Sequence, residues 1–225
     1  MAHFTDLHMR EYKELSGSVL ATRNRYVHNW FSNFDPVGLP VKYRGHVTPL
    51  LELAFVAAKN PDARVPDPDD REGIMTIPFH DRVFGCSTPG QAKRMGSSRN
   101  RGGLVELRPD WDRVNVAAMD FFLRQRWQPG TRDAARLAEL PKPIVEVNNW
   151  GDNRWGATTG DWKGRNALGL LLDVVAEEIK AGHVSPGADE DHWEARQVFL
   201  VAELNACVSG RVVASPSASR QIGMF

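Results

Sequence analysis

The stretch TPLLELAFVAAK, residues 48–59, decides how this chain folds. Thr48 suits a helix N-cap and Pro49 the first helical position. The run that follows predicts a helix stopping near Asn60-Pro61. From Leu50 to Ala58 it is apolar nearly all the way round, and such a helix belongs inside a protein. Glu52 is its one charged residue. A carboxylate taken from water without a partner is costly, so Glu52 needs either a partner or a raised pKa. Helical spacing sets Glu52, Phe55, Val56 and Lys59 along one face. Glu52 and Lys59 are roughly 10 Å apart in rise, too far for a direct pair but suited to opposite ends of one pocket. Two readings stay open: an acid desolvated for chemistry, or a structural carboxylate that caps backbone or pairs with an arginine.

Upstream, residues 1–24 are polar and read as a loosely ordered or marginally helical extension with no secretory signal. Residues 25–34 are rich in aromatics (Tyr26, Trp30, Phe31, Phe34) and end in the turn Asp35-Pro36. Val41 to Arg44 reads as a short strand. Downstream, residues 60–83 are rich in Asp, Pro and Arg and read as a long loop. Helices are expected from Thr88-Pro89 to Gly96, from an Asp110 cap to Pro129-Gly130, and from Thr131 to Pro141. Ile144 to Val147 reads as a short buried strand. Asn166 to Ala181 reads as a long helix closed by Gly182. A linker leads to a last helix at 189–208, and the small, polar tail 211–225 reads as disordered. The expected organisation is an extension (1–24), a catalytic domain (25–182), a helical appendage (183–210) and the tail.

The 225 residues carry a formal net charge of zero, with 42% hydrophobic and 25% charged residues. That composition fits one globular core and disfavours a strongly basic nucleic-acid binder. Local positive clusters remain, at Lys93, Arg94, Arg99 and Arg101 and at Arg23 and Arg25; each is either a phosphate-facing patch or a solvated surface. Cys86 and Cys207 imply no disulfide framework and point to a reducing cytoplasm. The seven histidines are scattered without paired spacing, so no metal site is expected. No apolar run approaches the roughly 20 residues of a membrane span.

The most unusual stretch is VNNWGDNRWGATTGDWKGRNALG, residues 147–169. Trp150, Trp155 and Trp162 in a glycine-bent loop suit a clamp on a nucleobase or ribose, and equally a lid that seals the core. Asp152 is placed to orient a sugar hydroxyl or a water. Gly164 and Asn166 precede a helix start, where free N–H groups favour a phosphate. The segment STPGQAKRMG (87–96) offers a second helix start of that kind, with Lys93 nearby.

These pieces occur in a telling order. NWFSNFDP, TPLLELAFVAAK, GQAKRMG, LRPDWDRVNVAAM, IVEVNNWGDNRWG and GRNALGLLL, spanning roughly residues 25–180, resemble the NADAR family, the YbiA-like N-glycosidases. The resemblance implies an α+β fold, predominantly helical, with a few short strands. It implies hydrolysis of N-glycosidic bonds on phosphoribosyl or ADP-ribosyl compounds, with neither cofactor nor metal. Carried over by motif, Glu52 and Lys59 match the family's E-x-x-F-x-A-x-K pattern. Trp111 matches its tryptophan after the Arg-Pro turn, Asp152 and Trp155 its D-x-x-W-G, and Asn166 its G-x-N-x-L-G. Glu52 and Asp152 are then the expected catalytic residues. The expected substrate-facing set is Asn29, Trp30, Phe31, Asn33, Phe55, Lys59, Lys93, Trp111, Trp150, Trp155, Gly156 and Asn166.

The chain departs from the family where many members carry a histidine after the glutamate and Leu53 stands here. Residues 60–82 are also longer than expected, and nothing beyond about Gly182 matches. Two substrates compete: ADP-ribosylated guanine in DNA or RNA, with a cognate ADP-ribosyltransferase as the source of the modification, and a phosphoribosylamino-pyrimidine of riboflavin synthesis. The absent histidine and the basic loop favour the first. A non-catalytic ADP-ribose-binding module is the reading from another class.

Overall fold

The computed structural model describes residues 3–12, 19–21, 29–97 and 102–209. Arg23, Arg25, Arg99, Arg101 and the tail 211–225 lie outside the described residues, as does the side chain of Asn29.

The fold is α+β, built around the helix that the opening stretch encodes. Helix α1 spans Leu51–Ala57, and all seven of its residues are buried. Thr48 does not cap it. Thr48 ends a strand, and its hydroxyl accepts instead from Leu50 N at 3.1 Å. The carbonyl of Asn33 takes the N–H of Glu52 at 3.2 Å. A first-turn donor, which a helix cannot satisfy internally, is thus met by the aromatic segment upstream.

Two hairpins flank α1. Strands β3 (Val41–Tyr43) and β4 (His46–Thr48) pair antiparallel, with Tyr43 opposite His46. Their turn holds Arg44 and Gly45 at positive φ. The region expected to be a long loop contains a second antiparallel hairpin, β5 (Arg64–Pro66) with β6 (Thr76–Pro78), followed by α2 (Phe79–Phe84). Asp70 organises the turn between those strands by accepting from the N–H groups of Glu72, Ile74 and Met75.

The remaining helices lie close to their expected places. Helix α3 (Pro89–Met95) is capped by Thr88 and α5 (Arg132–Ala138) by Thr131. Asp110 precedes α4 (Trp111–Arg126) but caps nothing; its carboxylate binds the Arg108 guanidinium at 2.7 and 3.0 Å. Helix α4 is the hub: it packs on α1, on α6 (Ala167–Lys180) and most extensively on α7 (Trp193–Val208). The Gln197 amide reaches from α7 into the backbone of α4, accepting from Val116 N at 2.8 Å and donating to Asp112 O at 2.7 Å. That N–H and that carbonyl are an i, i−4 pair of α4. The C-terminal helix is therefore spliced into the hub.

The third layer is a mixed sheet of order β1-β9-β8-β7-β2. Its strands are β1 (Arg10–Glu11), β2 (Val19–Ala21), β7 (Val145–Asn148), β8 (Ala157–Thr158) and β9 (Lys163–Gly164). The pleat of β7 turns Val145 and Val147 toward a small cluster with Tyr12 and Ala157. Residues 3–12, expected to be loosely ordered, are packed into the fold. Phe4, Leu7 and Tyr12 are buried, β1 pairs with β9, and Leu7 O accepts from Arg165 Nε at 3.0 Å. Among the described residues no helix is long and apolar enough to cross a membrane.

Candidate active site

A cleft of about 660 Å³ opens where α1, α3, α4 and the loop after β7 meet. Nine of the sequence-predicted residues line it: Asn33, Glu52, Phe55, Lys59, Lys93, Trp111, Trp150, Asp152 and Trp155.

Its apolar wall is a run of rings. Phe55 lies 5.3 Å from Trp111 and 5.3 Å from Trp155, and Trp155 lies 5.1 Å from Phe4. Trp155 is fixed at its backbone. Its N–H donates to Asp152 Oδ1 at 3.1 Å, and its carbonyl accepts from Leu168 N at 3.1 Å. Asp152 Oδ1 also accepts from Arg154 N at 3.0 Å, so half of the predicted catalytic carboxylate holds the loop that carries Trp155.

The charged groups lie beneath and beside this wall. Glu52 is buried, and its carboxylate makes no hydrogen bond among the described residues. Burial pushes its pKa up, Lys93 and Lys59 pull it down, and Asp152 pushes it up further. Lys59 sits after α1 and donates to Gly96 O at 3.0 Å. Burial lowers the Lys59 pKa, against the pull of Glu52. Gly96 is required for that approach: a Cβ there would stand 2.5 Å from Val56 Cγ1. At the mouth, Lys93 Nζ lies 5.0 Å from the Trp150 ring centre and 5.5 Å from that of Phe34. Both rings are substantially exposed.

Sequence reasoning missed a second acid. Glu146, on the cleft face of β7, lines the same cavity. Among the described residues its Oε2 is buried without a hydrogen-bond partner, as are Asn115 Oδ1, Arg126 Nη1 and Trp127 Nε1 elsewhere. Burial, then the charge of Asp152, and lastly that of Glu52 push the Glu146 pKa up to about 8, against the pull of Lys93. The available signal was a lone glutamate among Ile144, Val145 and Val147, a pattern easily taken for an outward-facing strand position.

Four predicted residues do not face the cleft. Phe31 is in the core. Trp30 packs on Phe31 and Trp127 with the Arg136 guanidinium 3.8 Å over its ring. Gly156 has a steric role, since a Cβ would lie 2.4 Å from Glu146 O. Asn166 is fully buried in the left-handed conformation that precedes α6. Its side chain accepts from Glu146 N at 2.9 Å and donates to Ile144 O at 2.7 Å, which fixes the strand carrying Glu146.

Both phosphate-binding helix starts are corrected. At α6, Ala167 N and Leu168 N already donate to the carbonyls of Arg154 and Trp155. At α3, the cleft takes Lys93, Gly96 and Ser97 from the C-terminal end, away from the helix start. Trp162 is not a clamp; it packs beside the Tyr12 cluster.

In comparisons with known proteins, a Vibrio vulnificus (strain YJ016) protein named as a riboflavin biosynthesis protein is 26% identical to this chain over 153 residues. The alignment covers 68% of this chain and 36% of that protein, so the chain spans about a third of the relative's length. No family model matches the chain, and no solved structure matches it.

Proposed function

We propose that this chain is an N-glycosidase that hydrolyses the bond between a ribose carbon and a base nitrogen, and that its substrate is ADP-ribosylated guanine in DNA or RNA. The observation that carries the reading is the pair Glu52 and Glu146: two desolvated acids in one cleft, under a wall of indole and phenyl rings. Acids displaced from their ordinary pKa by burial and by neighbouring charges are what general acid–base work at neutral pH requires.

The ribose lies against Phe55, Trp111 and Trp155 with its anomeric carbon near Glu52. Glu146, with a pKa of about 8, is protonated at neutral pH and donates to the departing nitrogen. Bond cleavage builds positive charge on the sugar, as in glycoside hydrolysis. In its ionised form, which Lys93 and Lys59 favour against burial, Glu52 stabilises that charge and draws the proton from the attacking water. Lys93 meets phosphate oxygens at the mouth. Asp152 is a positioning residue for Trp155, with its second oxygen available to a ribose hydroxyl. The exposed Trp150 and Phe34 around Lys93 suit a base or backbone that extends out of the cleft.

A second reading, hydrolysis of a phosphoribosylamino-pyrimidine, is favoured by the name of the Vibrio relative. The test incubates the full chain with an oligonucleotide bearing ADP-ribosylated guanine and, separately, with the riboflavin intermediate. Free ADP-ribose with restored guanine supports the first reading, and ribose phosphate from the intermediate supports the second. Tight ADP-ribose binding with no product from either substrate would identify a binding module instead.

A further inference from the structure

The histidines looked scattered in the sequence, but the fold brings two of them to one carboxylate. We propose that His46, His80 and Asp81 bind one divalent cation of the zinc type. His46 stands on β4, and His80 and Asp81 occupy the first turn of α2. Their ligand atoms all lie within 4.8 Å of one another.

The hydrogen bonds prepare these side chains as ligands. His80 Nδ1 lies 2.8 Å from Pro61 O. A carbonyl can only accept, so Nδ1 carries the proton and neutral His80 presents a lone pair at Nε2. That lone pair faces Asp81 Oδ1 at 3.4 Å, and His46 Nε2 lies 2.7 Å from the same oxygen. One carboxylate oxygen thus has an imidazole nitrogen on each side, and one of the two contacts lacks a proton unless a ring is charged. A cation resolves the arrangement. A carbonyl on the far nitrogen is also how metal-binding histidines are commonly oriented. The His46 ring is further fixed by stacking on Phe84, with centres 4.5 Å apart and planes at 11°.

The spacing suits zinc. Bonds of about 2.0–2.2 Å at tetrahedral angles separate ligand atoms by roughly 3.3–3.5 Å; the His80–Asp81 contact of 3.4 Å already matches, and the 2.7 Å His46–Asp81 contact would lengthen on binding. Two imidazoles and one carboxylate fit zinc or cobalt and leave a position for water. Calcium, which takes about six to eight oxygens, is excluded by the donor set. The side chains are 35%, 14% and 39% exposed, so an ion reaches them from solvent. It would tie β4 to α2, two neighbours of the helix that carries Glu52.

The experiment strips the full chain with a chelator and titrates it with Co2+ by absorption and Zn2+ by calorimetry. The expected result is one equivalent bound and none of Ca2+. His46→Gln and Asp81→Asn should each weaken binding by roughly 100-fold or more, with the circular dichroism of the metal-free protein unchanged. On the unaltered chain, Zn2+ should protect His46 and His80 from acylation by diethyl pyrocarbonate, mapped by mass spectrometry. No uptake of either ion, undiminished binding by both variants, or equal acylation with and without Zn2+ would overturn the proposal and leave a shared proton as the account of the cluster.

Discussion

Two groups of acids are buried in this molecule, and they are treated in opposite ways. Asp120, on α4, is fully buried, with Arg124 at 2.7 Å on one oxygen and Arg196 at 3.3 Å on the other. Arg124 also binds Glu178 at 2.6 Å, so the network joins α4, α6 and α7. Glu52 is nearly as enclosed and Glu146 is partly buried with its Oε2 shielded, yet among the described residues no arginine pairs with either, and Glu146 Oε2 has no hydrogen-bond partner. The cations that act on them are Lys93 and, for Glu52, Lys59, which line the same cavity. The first group holds helices together, while the second carries a desolvation cost next to empty space. A fold retains such a cost where the site uses it.

The largest expected effect separates the two groups. Glu52→Gln should lower the turnover number about 10³-fold while leaving the unfolding midpoint equal or higher, because a desolvated charge is removed. Asp120→Ala should do the reverse, costing about 3 kcal/mol of stability by leaving Arg124 underpaired, with turnover at low temperature preserved. Denaturant melts and steady-state rates on both variants check this, and equal stability losses would erase the distinction.

Glu146 sharpens the comparison through pH. Its folded pKa, about 8, lies above the usual 4.5. The stability it contributes is therefore full below the lower value and is lost as pH rises through the upper one. Glu146→Gln should resist denaturant better than the unaltered chain above about pH 8, by at most about 5 kcal/mol. The same change should slow turnover and abolish the alkaline fall in rate expected of the unaltered chain near that pH. A variant with an unaltered rate profile would remove Glu146 from the mechanism. A smaller effect is expected at the wall, where Trp155→Ala should weaken substrate binding by about 1–3 kcal/mol, read from the Michaelis constant. Lys93→Ala should raise the Michaelis constant by several-fold, more so at low salt.

How far the sequence reveals this depends on how local each signal is. The caps at Thr88 and Thr131 and the glycine at 182 mark helices because they act within one turn. Helix α1 announces itself by being apolar on every side, and Glu52 by being the exception. The pairing of β5 with β6 is hidden because Pro66 and Pro78 break the strand pattern. Phe4, Leu7 and Tyr12 are too few to show a period, and their partners, such as Arg165 and Trp155, lie about 150 residues away in sequence. Glu146 resembles an outward strand residue until a cleft is found on that side. Asn166, assigned to substrate, instead latches β7 from a left-handed position before α6. The aromatic wall and the lysines were legible as a set; the second acid was not.

The most direct test follows the Glu52 and Glu146 carboxyl carbons by 13C NMR in the full chain, across pH, with each Gln variant providing the assignment. The account predicts that both titrate above the ordinary glutamate range, with Glu146 near pH 8. Two carboxyls that titrate independently near 4.5 would contradict it, because the cleft would then hold ordinary solvated acids.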